Sequence, residues 1–410
     1  MIEFEGKNGL VKIFTDLVED QAVQQVKEMA DSKITENTVM RIMPDVHYGK
    51  GSTVGTTIKL SENFDEWNVS PNVVGSDVGC GILMYKIGEK EIDFEKLDKV
   101  VNKLVPSGPN KHKYPQDLKF TQNAIASLSF QLKNYSIDNI TLSLGTLGDG
   151  NHFIELGVDK EGSYWLSVHS GSRNLGAQVA RHHQKKAISE LVSNKNEIED
   201  IILKLKEQGQ FKEIQNAILE HKAKNPQVTT RDKELASLSG ENLKDYLRDM
   251  MIAQEFAHRS RVVMLDIITK AMGFTVVDSF DSVHNFIEQK DFKDGVIRKG
   301  ATSAKLGERL VIPLNMRDGS IIARGKGNKD WNESAPHGAG RLLSRSKAFK
   351  TIDFEDYKKS MQFVHTSSVN SLTIDEAPKA YKPARAIINN IADTVDIIDI
   401  IKPVYNFKAH

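Results

Sequence analysis

The chain has 410 residues, 39% of them apolar and 27% charged, with 55 basic residues against 55 acidic ones and one cysteine. That composition excludes disordered and fibrous classes, and the length allows two or three domains, or one domain carrying insertions. Zero net charge leaves any nucleic-acid binding to a local basic groove, a lone cysteine excludes a disulfide framework and suits a reducing cytoplasm, and no run approaches the ~20 apolar residues of a membrane helix.

The N-terminal stretch MIEFEGKNGLVKIF carries early acidic residues and no long apolar core, unlike a signal peptide. Residues 16–30 (DLVEDQAVQQVKEMA) have apolar positions at helical spacing and predict an amphipathic helix. Residues 41–59 and 72–87 switch to β-rich pieces punctuated by Gly and Pro. Residues 95–135 read as helical, with a proline-rich loop at VPSGPNKHKYPQD, and a second Gly-rich β region spans 140–176. Residues 177–227 are highly charged without a Gly/Pro cluster, which predicts a pair of solvated helices. A long helix is expected over 241–271, with Tyr246, Met250, Ala253, Ala257 and Met264 on a core-packing stripe. Gly-rich β texture returns over 273–340, and helical segments precede the terminal KPVYNFKAH. Three Gly-rich β regions separated by helices predict an α+β fold: a mixed sheet core assembled from distant segments, with peripheral helices. The expected organisation is one catalytic domain over 1–410, with a charged helical insertion over 177–260.

Cys80 lies in PNVVGSDVGCGILMYKI, between two glycines and three residues after Asp77. A lone cysteine is usually a small core hydrophobe. Four histidines, however, occupy similar settings, flanked by Gly, Asn or Ser at the ends of apolar strands: His152, His169, His284 and His337. Each alone reads as a satisfied loop or core histidine. Together with Asp77 and Cys80 they form the donor set of a transition-metal site, at long-range spacing unlike a zinc finger. The residues themselves lead to a metal site and no further.

A series of blocks carries the reading on: MPDVHYGKGSTVG (43–55), DVGCG (77–81), LGTLGDGNHFIE (144–155), HSGSR (169–173), VHNF (283–286), RKGATSA (298–304), HGAGR (337–341) and DEAPKAYK (375–382). In this order, across nearly the whole chain, they resemble the RtcB family of RNA-splicing ligases. The resemblance implies joining of a 2′,3′-cyclic phosphate or 3′-phosphate RNA end to a 5′-hydroxyl RNA end, with GTP and two Mn²⁺ ions as cofactors. It implies Cys80 as the ligand bridging both metals, His152 and His169 completing one, and Asp77 and His284 the other. Gly79 and Gly81 would let the backbone bend around the thiolate. His337 would be the nucleophile that becomes guanylylated. GTP contacts would come from Asn151, His152, Phe153, Glu155, His284, Asn285, Pro313, Met316, Ser320, His337, Gly338, Ala339, Gly340, Tyr381 and Lys408. Glu155 would accept from guanine N1 and N2, and Lys408 would donate to O6; for Phe153 core packing is an equal reading. Asp45 and Arg173 would stand near the RNA phosphates or the metal shell.

The chain departs from the family's Pro-Gly-Ser-Met at PLNM (313–316), which puts backbone contacts of that GTP-binding loop in question. His182 and His183 read as exposed, His112, His221, His258 and His365 fall outside the matching blocks, and His47 is not expected to ligate. Partners implied are the RNA ends, GTP and an archease-type activator, acting on a monomer without a membrane. Two other classes compete: a metal-dependent cyclic phosphoesterase that needs no His337, and an RNA-binding factor with a degenerate site, which would have lost key side chains; none is lost.

Overall fold

The computed structural model describes residues 1–193, 196–224 and 228–408; residues 194–195 and 225–227 of the expected helical stretch, and the last two of the chain, lie outside the described residues. Its strands are β1 (Ile2–Gly6), β2 (Gly9–Ile13), β3 (Val39–His47), β4 (Val54–Lys59), β5 (Gly81–Ile87), β6 (Phe153–Val158), β7 (Tyr164–Ser170) and β8 (Val276–Val283). They continue with β9 (Asn285–Lys290), β10 (Lys293–Lys299), β11 (Ala301–Ser303), β12 (Arg309–Asn315), β13 (Gly319–Gly325), β14 (Ser334–Pro336) and β15 (Val395–Lys408). A six-stranded sheet runs β1-β2-β3-β4-β10-β9, a seven-stranded sheet runs β12-β13-β15-β6-β7-β5-β8, and β11 pairs β14. All pairings are antiparallel except β2 with β3. The architecture is α+β, with one mixed sheet and two antiparallel ones, built from segments far apart in the chain.

Period-two alternation sets the two faces of the seven-stranded sheet. On β5, Ile82 and Met84 pack with Val311, Ile322 and Ile401 from across the sheet. Leu83 faces Met264, Leu265 and Ile268 of a long helix. The sheet curls, so that its edge strands approach: Arg309 of β12 donates to Asp278 of β8 at 3.1 Å, and the Val311 amide reaches Ser282 Oγ at 3.4 Å.

The helices that matter here are α1 (Asp20–Ala30), α2 (Arg173–Ser193), α3 (Asn196–Glu207), α4 (Ile214–Lys224) and α5 (Gly240–Met272). The stripe Tyr246, Met250, Ala253, Ala257 and Met264 is buried along α5, as its spacing predicts. The charged stretch divides. Helix α2 packs on α5, with Val179 and Ala187 buried, whereas α3 and α4 pack on each other. His183 departs from its expected exposure: it is fully buried on α2, its Nε2 2.7 Å from Asp249 of α5, which also accepts from Ser129. A hydrogen-bonded carboxylate makes that burial tolerable. The second departure is β15. Fourteen residues long and hydrogen-bonded to β13 on one side and β6 on the other, it begins well before KPVYNFKAH; its first half, from Asp396 to Ile400, is exposed or half-buried and shows no clean alternation. Among the described residues no helix is long and apolar enough to cross a membrane.

Candidate metal and nucleotide site

Strand register builds the site. In the order β6-β7-β5-β8, Phe153 pairs with His169, Gly81 with Ser170, and Gly81 with Val283 on its other side. Four strand ends are thereby level, and Cys80, His152, His169 and His284, each within one residue of such an end or at it, converge there. His169 Nε2 lies 3.2 Å from both Cys80 Sγ and His284 Nε2. His152 Nε2 lies 3.5 Å from Cys80 Sγ and 3.1 Å from Asp77 Oδ2.

These atoms form two trios that share the thiol: Cys80–His169–His284 and Asp77–Cys80–His152, each with ligand atoms within 4.8 Å of one another. Cys80 belongs to both trios, and their side-chain geometry differs from the grouping that the resemblance implies, His152 with His169 and Asp77 with His284. His169 groups with His284, and His152 with Asp77, because β7 and the β8–β9 corner flank β5 from opposite sides while the 152 loop lies over the 77 loop. The glycines also serve differently from one another. Gly79 has φ +71°, and a Cβ there would sit 2.7 Å from Gln254 Cα, so this position does need glycine. Gly81 is ordinary strand; there a Cβ would meet Ser282 O at 2.8 Å, so the requirement is close approach, not a bend.

The electrostatics fit a cation. Burial, together with the other positive groups of the cleft, pushes His169 and His284 well below the ordinary imidazole range, so both rings are neutral. His152 Nδ1 is 2.9 Å from the Leu147 carbonyl, a contact that turns Nε2 toward the cluster. Burial and then Asp77 push the Cys80 thiol up. Burial would raise Asp77 too, but its hydrogen bond to His152 and the nearby charge hold it down at about 2. A carboxylate, neutral imidazoles and a thiol that a metal would deprotonate make a competent donor set for two ions. Mixed O, N and S donors do not by themselves select manganese.

All the residues expected at the site except His152, Asp45 and Arg173 line one cleft of ≈ 1050 Å³. Asp45 stands behind His337. Its Oδ2 accepts from His337 Nδ1 at 2.6 Å and from the backbone amides of His337 and Gly338 at 3.0 and 3.3 Å. Lys382 Nζ grips the carbonyls on either side of Asp45, those of Pro44 and Val46, at 2.9 and 3.0 Å. Asp45 therefore contacts His337 directly, a partner that the motif did not reveal. The Arg173 charge is felt by Asp77 and Arg173 Nε reaches Thr146 Oγ1 at 3.4 Å, so its position is on the metal side.

The opposite wall is polar. Glu155 is buried between Asn406 Nδ2 (2.9 Å) and Ser320 Oγ (3.4 Å), and burial lifts its pKa to about 7. Lys408 Nζ donates to Glu376 at 2.8 Å and to the Asn151 carbonyl at 3.3 Å. Burial would raise Glu376, but Lys408, Arg345 and Arg341 hold it down at about 2. Tyr381 Oη donates to the same carboxylate at 2.5 Å. Phe153 is buried against His169, with ring centroids 5.3 Å apart, and also lines the cleft. Asn285 ties the metal loop to β10 and β11, donating to Asp77 O at 3.2 Å and accepting from Gly300 N at 2.8 Å. The PLNM segment is absorbed by the fold: Leu314 is buried, Asn315 Oδ1 caps the following turn through the amides of Arg317 and Asp318, and the Pro313 carbonyl accepts from Ala339 N at 3.0 Å. Glu376 and Asn406 were not singled out in the sequence. The signal for Asn406 is a polar residue inside an apolar strand; Glu376 stood within the DEAPKAYK block.

Comparison with known proteins gives a consistent result. The profile described as tRNA-splicing ligase RtcB matches residues 25–409. Two Escherichia coli proteins, RNA-splicing ligase RtcB1 and, from strain K12, RNA-splicing ligase RtcB, are each 29% identical to the chain, with 98% of both chains covered. A tRNA-splicing ligase RtcB of Aeropyrum pernix is 25% identical over 83% of this chain and 81% of its own.

Proposed function

The chain belongs to the tRNA-splicing ligase RtcB family, and from that premise we propose that it is a GTP- and Mn²⁺-dependent RNA ligase. It joins a 3′-phosphate end, or a 2′,3′-cyclic phosphate opened to one by water, to a 5′-hydroxyl end. RNA ligation is the activity that its relatives' names support. The observation that carries the finer reading is the His337–Asp45 contact of 2.6 Å. Donation from Nδ1 to a buried carboxylate leaves Nε2 as the ring nitrogen with a free lone pair, on the wall of the cleft that Asp77, Cys80, His169 and His284 also line.

In this reading His337 Nε2 bonds to the α-phosphorus of GTP as the bond to pyrophosphate breaks. Asp45 meets the positive charge that develops on the ring. The GMP group then passes to an oxygen of the RNA 3′-phosphate, which restores His337. The 5′-hydroxyl of the second strand gives up its proton, bonds to the activated phosphate and releases GMP. Asp77, Cys80, His152, His169 and His284 would hold two divalent ions, which supply neutralisation of phosphate oxygens when bound. Glu155, ionised and held by Asn406 and Ser320, accepts from guanine N1 and N2, while Lys408 faces O6. A buried free thiol that serves as a metal ligand suits a reducing compartment such as the cytoplasm. Joined RNA needs no second copy of the chain, so a monomer suffices, with an archease-type partner as activator.

The test is a labelling experiment. Incubated with GTP and Mn²⁺ but no RNA, the protein acquires a GMP adduct that survives alkali and is lost in acid, as a phosphoramidate is. His337→Ala abolishes the adduct, retains two metal ions, and still joins RNA that already carries a 3′-linked GMP. An acid-labile adduct on His337→Ala would overturn the assignment.

A further inference from the structure

Arg261 of α5 is fully buried directly behind the metal-ligand loops. Its Nη1 donates to two carbonyls, Gly79 O at 2.8 Å and Ser170 O at 2.9 Å. Gly79 immediately precedes Cys80, and Ser170 immediately follows His169. The other edge of the guanidinium meets Asp281 of β8 side-on, Nε at 3.1 Å and Nη2 at 2.7 Å. Asp281 Oδ2 also takes His258 Nδ1 at 2.8 Å from the exposed face of α5. Room for the guanidinium exists because residue 81 has no side chain; a Cβ there would lie 3.3 Å from Arg261 Cζ.

We propose that Arg261, oriented by Asp281, is a positioning residue that sets the distance between the bridging Cys80 and His169 by tying together the backbone segments that carry them. The inference rests on reading the two trios as a two-metal site. The geometry calls for arginine specifically. A planar fork can give two hydrogen bonds from one nitrogen to two carbonyls while its opposite edge engages a carboxylate in two parallel bonds. An ammonium is a point donor and cannot hold three such acceptors in one plane. Cys80 stands one residue before β5 and His169 one residue from the end of β7, beside the terminal Gly81–Ser170 pair. The clamp closes that end. It contributes no ligand and touches no substrate atom.

Outer partners that orient metal ligands typically account for ~10–100-fold in metal affinity. Two variants test the clamp. Arg261→Lys keeps the charge and loses the fork. Arg261→Met combined with Asp281→Leu removes the buried guanidinium together with its half-buried carboxylate partner, a replacement that is often neutral for folding, whereas removing one alone is costly. For each, thermal unfolding is followed in chelator, Mn²⁺ binding by calorimetry, and coupling between the two ions by electron paramagnetic resonance. The expected result is an unfolding midpoint in chelator close to the parent's in at least one variant, with Mn²⁺ affinity ~10–100-fold lower and the spin-coupled signal lost or altered. Parent-like affinity and coupling in either folded variant would sink the clamp while leaving the metal site standing. Collapse of both variants in chelator would also overturn it, because Arg261 would then hold the fold and not the site. If the parent protein itself binds no coupled pair, the two-metal reading falls, and the clamp with it.

Discussion

The two halves of the cleft are buried alike and compensated differently. In the half made by β5, β6, β7 and the β8–β9 corner, one thiol, three imidazoles and a carboxylate converge. Burial drives His169 and His284 toward neutrality and the Cys80 thiol up. In the half made by β12, β13, β15 and the 337–382 segments, Glu376 is just as buried, yet three cations surround it and it remains ionised. Glu155 reaches from β6 into that second half, meeting Asn406 of β15 and Ser320 of β13, but behaves like the first: it has two neutral hydrogen-bond partners and a pKa lifted to about 7. Burial alone therefore does not mark a functional group. Within this cleft, burial without a counter-charge sets Glu155, His169 and His284 apart from Glu376 and leaves them open to a ligand that supplies one.

The largest expected effect breaks the first half. Cys80→Ser removes the ligand common to both trios, so ligation of a 3′-phosphate strand to a 5′-hydroxyl strand should fall below detection and metal analysis should show loss of both ions. Single removals then read the grouping. His152→Ala and Asp77→Asn should weaken the same ion, and His169→Ala and His284→Ala the other. Double variants should be additive across trios and non-additive within one. Additivity between His169 and His284 would restore the pairing expected from resemblance.

Asp45→Asn comes next. An amide at Oδ2 would offer the wrong group to His337 Nδ1, and GMP-adduct formation should slow by ~10³–10⁴-fold, as in other histidines that lose an orienting carboxylate. Joining of RNA already activated with GMP should be spared, which single-turnover assays of the two steps would separate.

The two carboxylates of the second half should respond to pH with opposite sign. Glu376 is held below its usual 4.5, so its stabilisation is complete above that pH and is lost as pH falls toward 2. Glu376→Gln leaves buried Lys408 without that partner and should cost on the order of 3 kcal/mol in urea unfolding. Glu155 is raised, so the nucleotide-free protein is favoured below the window and loses stability as pH rises from 4.5 through about 7. GTP binding, which needs the ionised form, should run the other way and strengthen up to about tenfold per pH unit as pH rises toward 7. Glu155→Gln should flatten that profile in calorimetric titrations and weaken GTP by roughly tenfold, the smallest effect of the set. A profile that persists in this variant would move the titration elsewhere.

Residue identity and local pattern were enough for a good deal of this protein. The helical stripe of α5, the Gly-punctuated strands, the lone cysteine among strand-end histidines and the ordered blocks are all written along the chain, because helix and strand periods and motif chemistry are local properties. The tertiary structure alone decided the rest. His169 joins His284 because register brings residues 81 and 170, and 81 and 283, side by side, and His152 meets Asp77 where their two loops come together. Asp45 reaches His337 across 292 positions of sequence, and Arg261 reaches Gly79 across 182. His183 turns inward because Asp249 waits for it on another helix. No periodicity encodes such contacts: they depend on how strands and helices pack, and a one-residue slip in one register would send each of these side chains elsewhere.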